Sequence, residues 1–328
     1  MNTSVFSSSL AAVMTAFVEW KCCSGISRKR FVRLLWYFDR FLCKKRFRGA
    51  RLTQQVTGQY LQSMSHLGTG TRYNRFCVFR QFCRYLADTD PESFVPAAIS
   101  SGNDAEVRRA YIYSDGQIEA LLAAALDLSP QRPLRAQTYY TLLGLLSVTG
   151  LRISEAIALN LEDVQDNMLY VREGKFSKSR WLPLSESTRQ ALDRYMHNRN
   201  AQGSSEPNAP LFINLWGKRV NYTTVYQTFR RLLIAAGLHS GTGPGPRIHD
   251  LRHRFAVTRL LKWYQDGADV NARLPWLATY MGHCKIAHTA VYLHATAQLL
   301  GEVGKRFAKH FELNIQPFVE KASKGAQA

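Results

Sequence analysis

The stretch His249-Asp250-Leu251-Arg252-His253-Arg254-Phe255 follows, after Ile248, on the loop Gly241-Thr242-Gly243-Pro244-Gly245-Pro246-Arg247. Helical spacing of three puts His249 and Arg252 on one face, and the Gly/Pro loop lets a helix start abruptly with its positive end free to meet a phosphate. His249 and His253, four apart, also have the spacing of a zinc pair. No Glu of an HExxH helix and no third ligand accompany them, so that reading is set aside. The loop matches neither GxGxxG nor GxxxxGK[ST], which excludes nucleotide binding through it.

Two further segments belong with this one. The first is Thr149-Gly150-Leu151-Arg152-Ile153-Ser154-Glu155-Ala156, followed by Leu159-Asn160-Leu161-Glu162-Asp163-Val164. A glycine turn that delivers an arginine just ahead of a helix places its guanidinium at a fixed point, with Glu155 near enough to brace it; a surface Arg–Glu pair is the plainer alternative. The second is Leu277 to Cys284, containing Met281-Gly282-His283, with Tyr292 nine residues after His283. Tyr280 and Tyr264 read as core or rim residues. Two guanidiniums can clamp the non-bridging oxygens of a phosphodiester, imidazoles and an amine can shuttle protons, and a phenol can act as covalent nucleophile. Arg152, Lys175, His249, Arg252, His283 and Tyr292 are the residues so cast.

The chain around these segments has 328 residues, 46% of them apolar, enough for one large or two medium domains. Its 43 Lys+Arg against 24 Asp+Glu give a net charge of +19, which calls for a polyanionic partner such as nucleic acid. Residues 1–110 hold 17 Lys+Arg and 7 Asp+Glu, about half of the excess. A membrane surface is the weaker reading, because the longest apolar stretch, Tyr139 to Val148, is well short of the roughly 20 residues of a spanning helix. Residues 1–20 lack the basic start and cleavage pattern of a secretory signal, so a cytoplasmic, nucleoid-associated protein is expected. Cys22, Cys23, Cys43, Cys77, Cys83 and Cys284 form neither a CxxC pair nor a regular framework, and reduced thiols are expected.

Residues 8–100 read as four amphipathic helices: Ser9 to Trp20, Ser27 to Leu42, Thr53 to Met64 and Thr71 to Leu86. The second interleaves Arg28, Arg30, Arg33 and Arg40 with Phe31, Leu34, Leu35 and Phe38. Between Lys21 and Ala87 the only acid is Asp39, and ordinary exposed helices mix both signs, so a DNA-facing surface is predicted over a merely solvated one. Its candidate DNA-binding residues are Arg28, Lys29, Arg30, Arg33, Lys44, Lys45, Arg72 and Arg75. The predicted domains are 1–105, all-α and DNA-binding, and 114–328, mainly α with a small β-sheet, joined by a linker at 106–113. Ser114 and Gln117 form a capping box that opens a helix through Leu126. A helix from Gln137 to Val148 follows, then short strands at 168–171 and 180–184 around the polar turn Glu173 to Ser179.

Taken together, TGLRISE with LEDV, HDLRHRF, and MGH with Tyr292 resemble the tyrosine site-specific recombinases, the phage integrase family, in chain order and over nearly the whole C-terminal domain. Between the strands, Gly174-Lys175-Phe176-Ser177-Lys178-Ser179-Arg180 is similar to the family's lysine-bearing β-hairpin. Position matching favours Lys175 over Lys178, although Phe176 stands where the family often has glycine. The stretch Lys262 to Arg273 is longer than in compact members and is expected to be a surface excursion. The resemblance implies a C-shaped clamp around double-stranded DNA, a homo-tetramer on paired sites, an accessory directionality or DNA-bending protein, and no cofactor. It further implies that Tyr292 forms a 3′-phosphotyrosine, that Arg152 and Arg252 stabilise charge, that Lys175 protonates the leaving 5′-oxygen, that His249 assists proton transfer, that His283 binds the phosphate and that Glu155 supports them from behind. A type IB topoisomerase would use the same chemistry without a particular site. A DNA-binding accessory protein would keep the fold without the complete residue set.

Overall fold

A computed structural model describes residues 5–23, 28–99, 110–128, 133–172, 179–294 and 301. Two compact units divide between Arg108 and Arg109.

The first unit consists of α1 (Ala11–Cys23), α2 (Arg28–Lys44), α3 (Gln54–Ser63) and α4 (Thr69–Thr89). Helix α2 forms because Phe31, Leu35, Phe38 and Leu42 recur at helical spacing and bury one stripe. That stripe meets Phe17, Tyr60, Phe79 and Phe82, with Phe38 4.6 Å from Phe79 and 4.7 Å from Tyr60 between ring centroids. Thr53 caps α3, its hydroxyl accepting from the Val56 N–H. Cys83 is buried in this core as a small apolar residue. Asp39, the lone acid expected to mix charge into the basic surface, does not reach it. At 2% exposure its carboxylate accepts the Ser7 and Ser8 N–H groups at 3.0 and 2.9 Å and ties down the approach to α1.

In the second unit, Tyr111 and Tyr113 pack into the main core ahead of α5 (Asp115–Leu126). The Ser114–Gln117 capping box at its start is present in full. Then come α6 (Pro133–Thr149), α7 (Ile153–Ala158), and an antiparallel sheet of β1 (Val164–Gln165), β2 (Met168–Val171) and β3 (Arg180–Pro183) in that order. The β2–β3 pairing, Leu169 opposite Leu182 and Val171 opposite Arg180, buries Leu169, Val171 and Leu182. The two predicted strands are present; β1 is too short to leave a periodic signal. Helices α8 (Glu186–Asn200), α9 (Tyr222–Ala235), α10 (Ile248–Gln265), α11 (Val270–Met281) and α12 (Ala287–Ala290) complete the order, and a 3-10 turn at Val291–His294 carries Tyr292.

One expectation is refined here and one is corrected. Residues 262–273 do run along the surface, with 265–267, 269, 271 and 272 exposed, but as a tight corner between helices and not as a loop: α10 continues to Gln265, Gly267 turns the chain at φ +74°, and Val270 and Leu274 return to an apolar cluster with Phe255 and Leu260. The start of α10 is not left open to a phosphate. Asp250, buried and three residues in, accepts the Arg247 N–H at 2.8 Å and pairs with its guanidinium at 2.8 Å, so a carboxylate already occupies the positive helix end. Among the described residues, no helix is long and apolar enough to cross a membrane.

Candidate active site

The last carbonyls of a helix lack partners within it. At the end of α11, three consecutive ones are each taken by an arginine from a different element. Arg180 Nε donates to the Tyr280 carbonyl at 2.8 Å, Arg252 Nη2 to that of Met281 at 2.6 Å, and Arg152 Nη2 to that of Gly282 at 2.9 Å. The three guanidiniums crowd the negative end of the α11 dipole. Gly282 makes this possible. Its φ of +68° closes the helix in the left-handed region, and a Cβ there would lie 2.8 Å from Arg180 Nη1.

Arg152 arrives as the sequence predicts. Gly150, at φ +63° and with no room for a Cβ against Phe255, turns the chain so that Arg152 stands immediately before α7. Glu155 braces it twice, accepting the Arg152 N–H at 3.0 Å and its Nη1 at 2.6 Å. The same carboxylate accepts Arg180 Nη2 at 2.9 Å. Burial pushes the Glu155 carboxyl up, but Arg180 first and Arg152 second outweigh it and hold the group below the usual carboxylate range.

Arg252 is 1% exposed. Besides the Met281 carbonyl it holds that of Gly150 at 2.7 Å, so one side chain fastens the turn before Arg152 to the turn before His283. Burial and the neighbouring Arg152 charge pull its pKa down to about 10, which still leaves it a cation at neutral pH. His283 Nε2 lies 2.8 Å from Arg252 Nη2, and its Nδ1 2.7 Å from Thr289 Oγ1. A guanidinium can only donate, so Nε2 accepts and the proton of neutral His283 sits on Nδ1. Burial, then Arg252 and Arg152, lower the His283 pKa to about 3 and favour that neutral form.

Tyr292 is 5% exposed, hydrogen-bonded to Arg252 and flanked by two imidazoles, with ring centroids 5.4 Å away at His253 and 6.3 Å at His283. Burial raises its pKa against the opposing pull of Arg252 and Arg152, so the resting phenol is protonated. His249 stacks edge-on to His253 at 4.8 Å. His249 is exposed at the rim of the pocket; desolvation, followed by the His253 and Arg252 charges, lowers its pKa to about 4.

The structure therefore brings together Arg152, Glu155, Arg252, His283 and Tyr292, and links His249 to Tyr292 through the ring of His253. Lys175 and Lys178 lie outside the described residues. Sequence reasoning missed Arg180, Thr289 and the place of His253. His253 stood inside the quoted motif, whereas Arg180 is 25 residues from Glu155 and only the hairpin fold joins them. On the first unit, Arg28, Lys29, Arg30, Arg33, Lys44, Lys45 and Arg72 are exposed. Arg75 is half-buried and stacks 3.4 Å over the Tyr37 ring. Basic residues fill the first turn of α2, where the helix dipole disfavours them, with no acid to offset them there.

A pocket with two arginines beside a tyrosine and two imidazoles can hold a phosphodiester against a phenol. Residues 113–298 match the model of the phage integrase family. A Sinorhizobium fredii protein, named as a candidate integrase/recombinase, y4rB, is 38% identical over 269 residues, covering 80% of this chain and 85% of its own. The Tn1549 transposon integrase, solved with a circular intermediate DNA, superposes with a TM-score of 0.64 at 19% identity, covering 92% of this chain and 100% of that one. A lambda integrase tetramer bound to a Holliday junction gives 0.61 at 17%, covering 86% and 76%. The chain belongs to the phage integrase family. It is a tyrosine recombinase, an enzyme of site-specific DNA recombination.

Proposed function

We propose that Tyr292 attacks the scissile phosphate, that its oxygen–phosphorus bond forms as the bond to the 5′-oxygen breaks, and that the product is a 3′-phosphotyrosine with a free 5′-hydroxyl. Attack by the partner strand's hydroxyl reverses these changes and reseals the DNA. One ester is exchanged for another, so no ATP is consumed. Arg152 and Arg252 clamp the non-bridging oxygens, a role in which one well-placed donor is worth about 3–4 kcal/mol. The phenol, whose ordinary pKa is about 10, gives its proton to the imidazole side of the pocket, with His249 as acceptor and the His253 ring between them. As Arg252 turns Nη2 from His283 to a phosphate oxygen, the phosphate's negative charge lets Nε2 of His283 take up a proton and donate it in a hydrogen bond to the phosphate. Lys175 protonates the leaving 5′-oxygen. The observation that supports this reading best is the convergence of Arg152, Arg252, His283 and Tyr292, from separate parts of the sequence, around the end of α11.

In the same reading, residues 1–105 grip duplex phosphates through Arg28, Lys29, Arg30, Arg33, Lys44, Lys45, Arg72 and Arg75, the linker that follows, shorter than 106–113 because Tyr111 and Tyr113 belong to the second unit's core, joins them to the catalytic domain, and four copies assemble on paired sites in the cytoplasm, at the nucleoid. A DNA-bending or directionality protein is a further partner. The tail beyond residue 299, nearly all of it outside the described residues, is read first as completing the core of its own domain; packing on a neighbouring copy is the alternative, which cooperative assembly on a two-site duplex after deletion of residues 299–328 would remove.

The test is covalent capture without metal from a pool of nicked duplexes containing the DNA that flanks this gene, resolved on a denaturing gel. A protein–DNA band given by the native chain and lost in Tyr292→Phe is expected, and sequencing it yields the target duplex. A band that survives the substitution would mean another nucleophile. Bound DNA with no band from any duplex would favour the accessory-protein reading.

A further inference from the structure

We propose that Arg180 is a positioning residue of strand cleavage: its guanidinium fixes the Glu155 carboxylate and the last turn of α11, and through them sets the direction of Arg152. The inference rests on the cleavage mechanism above. Arg180 is almost fully enclosed, its side chain 10% exposed, and its hydrogen bonds are committed within the protein. Nη1 and Nη2 fork onto the two Glu155 oxygens at 3.3 and 2.9 Å, and Nε holds the Tyr280 carbonyl. Every nitrogen of Arg180 thus holds a protein oxygen, two of them on the carboxylate that also braces Arg152. Glu155, by contrast, still grips Arg152, and Arg152 completes the set of three carbonyls at 280, 281 and 282. One strand-borne cation thus governs two supports of a catalytic one.

The electrostatics point the same way. The charged groups around Glu155 are Arg152 before α7, Arg180 on β3 and Arg252 on α10. Of these, Arg180 opposes the burial of the carboxylate most strongly. Without it the buried carboxyl would take up a proton more readily, and a neutral acid holds a guanidinium weakly. A lysine at 180 would restore charge but not the planar fork.

Two measurements on the full-length chain test this. The first needs no DNA: carbon-13 titration of the Glu155 carboxyl in the native chain, Arg180→Gln and Arg180→Lys. Arg180→Gln is expected to move the titration to higher pH, and Arg180→Lys to lie between; an unmoved carboxyl would overturn the proposal. The second uses the captured duplex in single-turnover cleavage. Arg180→Gln is expected to cut the rate at least tenfold with DNA affinity changed less than twofold, and Arg180→Lys to recover part of it. In a Glu155→Gln background Arg180→Gln should cost clearly less than it does alone, the remainder being the Tyr280 tether that does not run through Glu155. Full additivity, or lost DNA affinity in place of rate, would overturn the proposal. A native chain that forms no covalent product would strike the mechanism, while the carboxyl titration still decides what Arg180 does to Glu155.

Discussion

The two units of this chain use the same residue type in opposite ways. On the first, arginines and lysines stand in solvent along α2 and its ends, and the one nearby acid, Asp39, is turned inward. In the pocket of the second, Arg152, Arg180 and Arg252 are each tied to a named carbonyl, and two of them share Glu155. Exposed cations attract a polyanion anywhere along its length and can slide over it. Tethered cations have given up that freedom, so a phosphate must come to them. Binding and chemistry are thereby separable by mutation.

The sharpest separation is at Tyr292. Tyr292→Phe should abolish covalent DNA while leaving affinity within about twofold, measured by gel trapping and by fluorescence anisotropy. Arg252→Gln comes next. Losing a pocket donor should slow cleavage about 100- to 1,000-fold. It also leaves buried carbonyls at Gly150 and Met281 short of a partner, at about 1–3 kcal/mol each, which calorimetry would record as a melting point lower by several degrees. If Arg252→Gln instead weakened DNA binding alone, the tethered cations would be no different from the exposed ones. Gly282→Ala should be milder: forcing a side chain into left-handed backbone costs about 1–2 kcal/mol and displaces Arg180, so cleavage should slow with affinity kept. Arg28→Gln with Arg30→Gln and Arg33→Gln should leave the melting point nearly unchanged. Its signature is a salt dependence of binding shallower by about 0.9 in log–log slope for each phosphate that the variant no longer neutralises. The smallest effect is in pH. Folding lowers the His283 pKa to about 3 from its ordinary value near 6.5. The unfolded chain therefore binds the extra proton first, and stability falls as pH drops from about 6.5 towards 3. His283→Asn should flatten part of that acid limb in denaturant titrations at successive pH values.

What the sequence discloses follows the same division. The apolar stripe of α2, the Ser114 capping box and the glycine turn at 150 are local patterns, and each is where the residues place it. Arg152, His249, Arg252, His283 and Tyr292 lie in motifs short enough to read directly. Arg180 was out of reach because its meaning depends on Val171 pairing with it across the hairpin and on α11 ending beside it. Asp250 was misjudged for a related reason: the Gly/Pro loop reads as an open helix start, but a carboxylate three residues in closes it. Asp39 counted as surface charge for as long as its fold partners, the Ser7 and Ser8 amides, were unknown.

The cluster of carbonyls at the end of α11 also makes the pocket fail as a whole. Tyr280, Met281 and Gly282 anchor the three arginines, His283 follows at once, and Tyr292 comes nine residues later. If that turn frays, the three guanidiniums, the imidazole and the tyrosine depart in one event, and no half-built pocket is left. An enzyme that cuts DNA is safest when its idle state is inert rather than merely slow, and here one helix end is enough to make the choice.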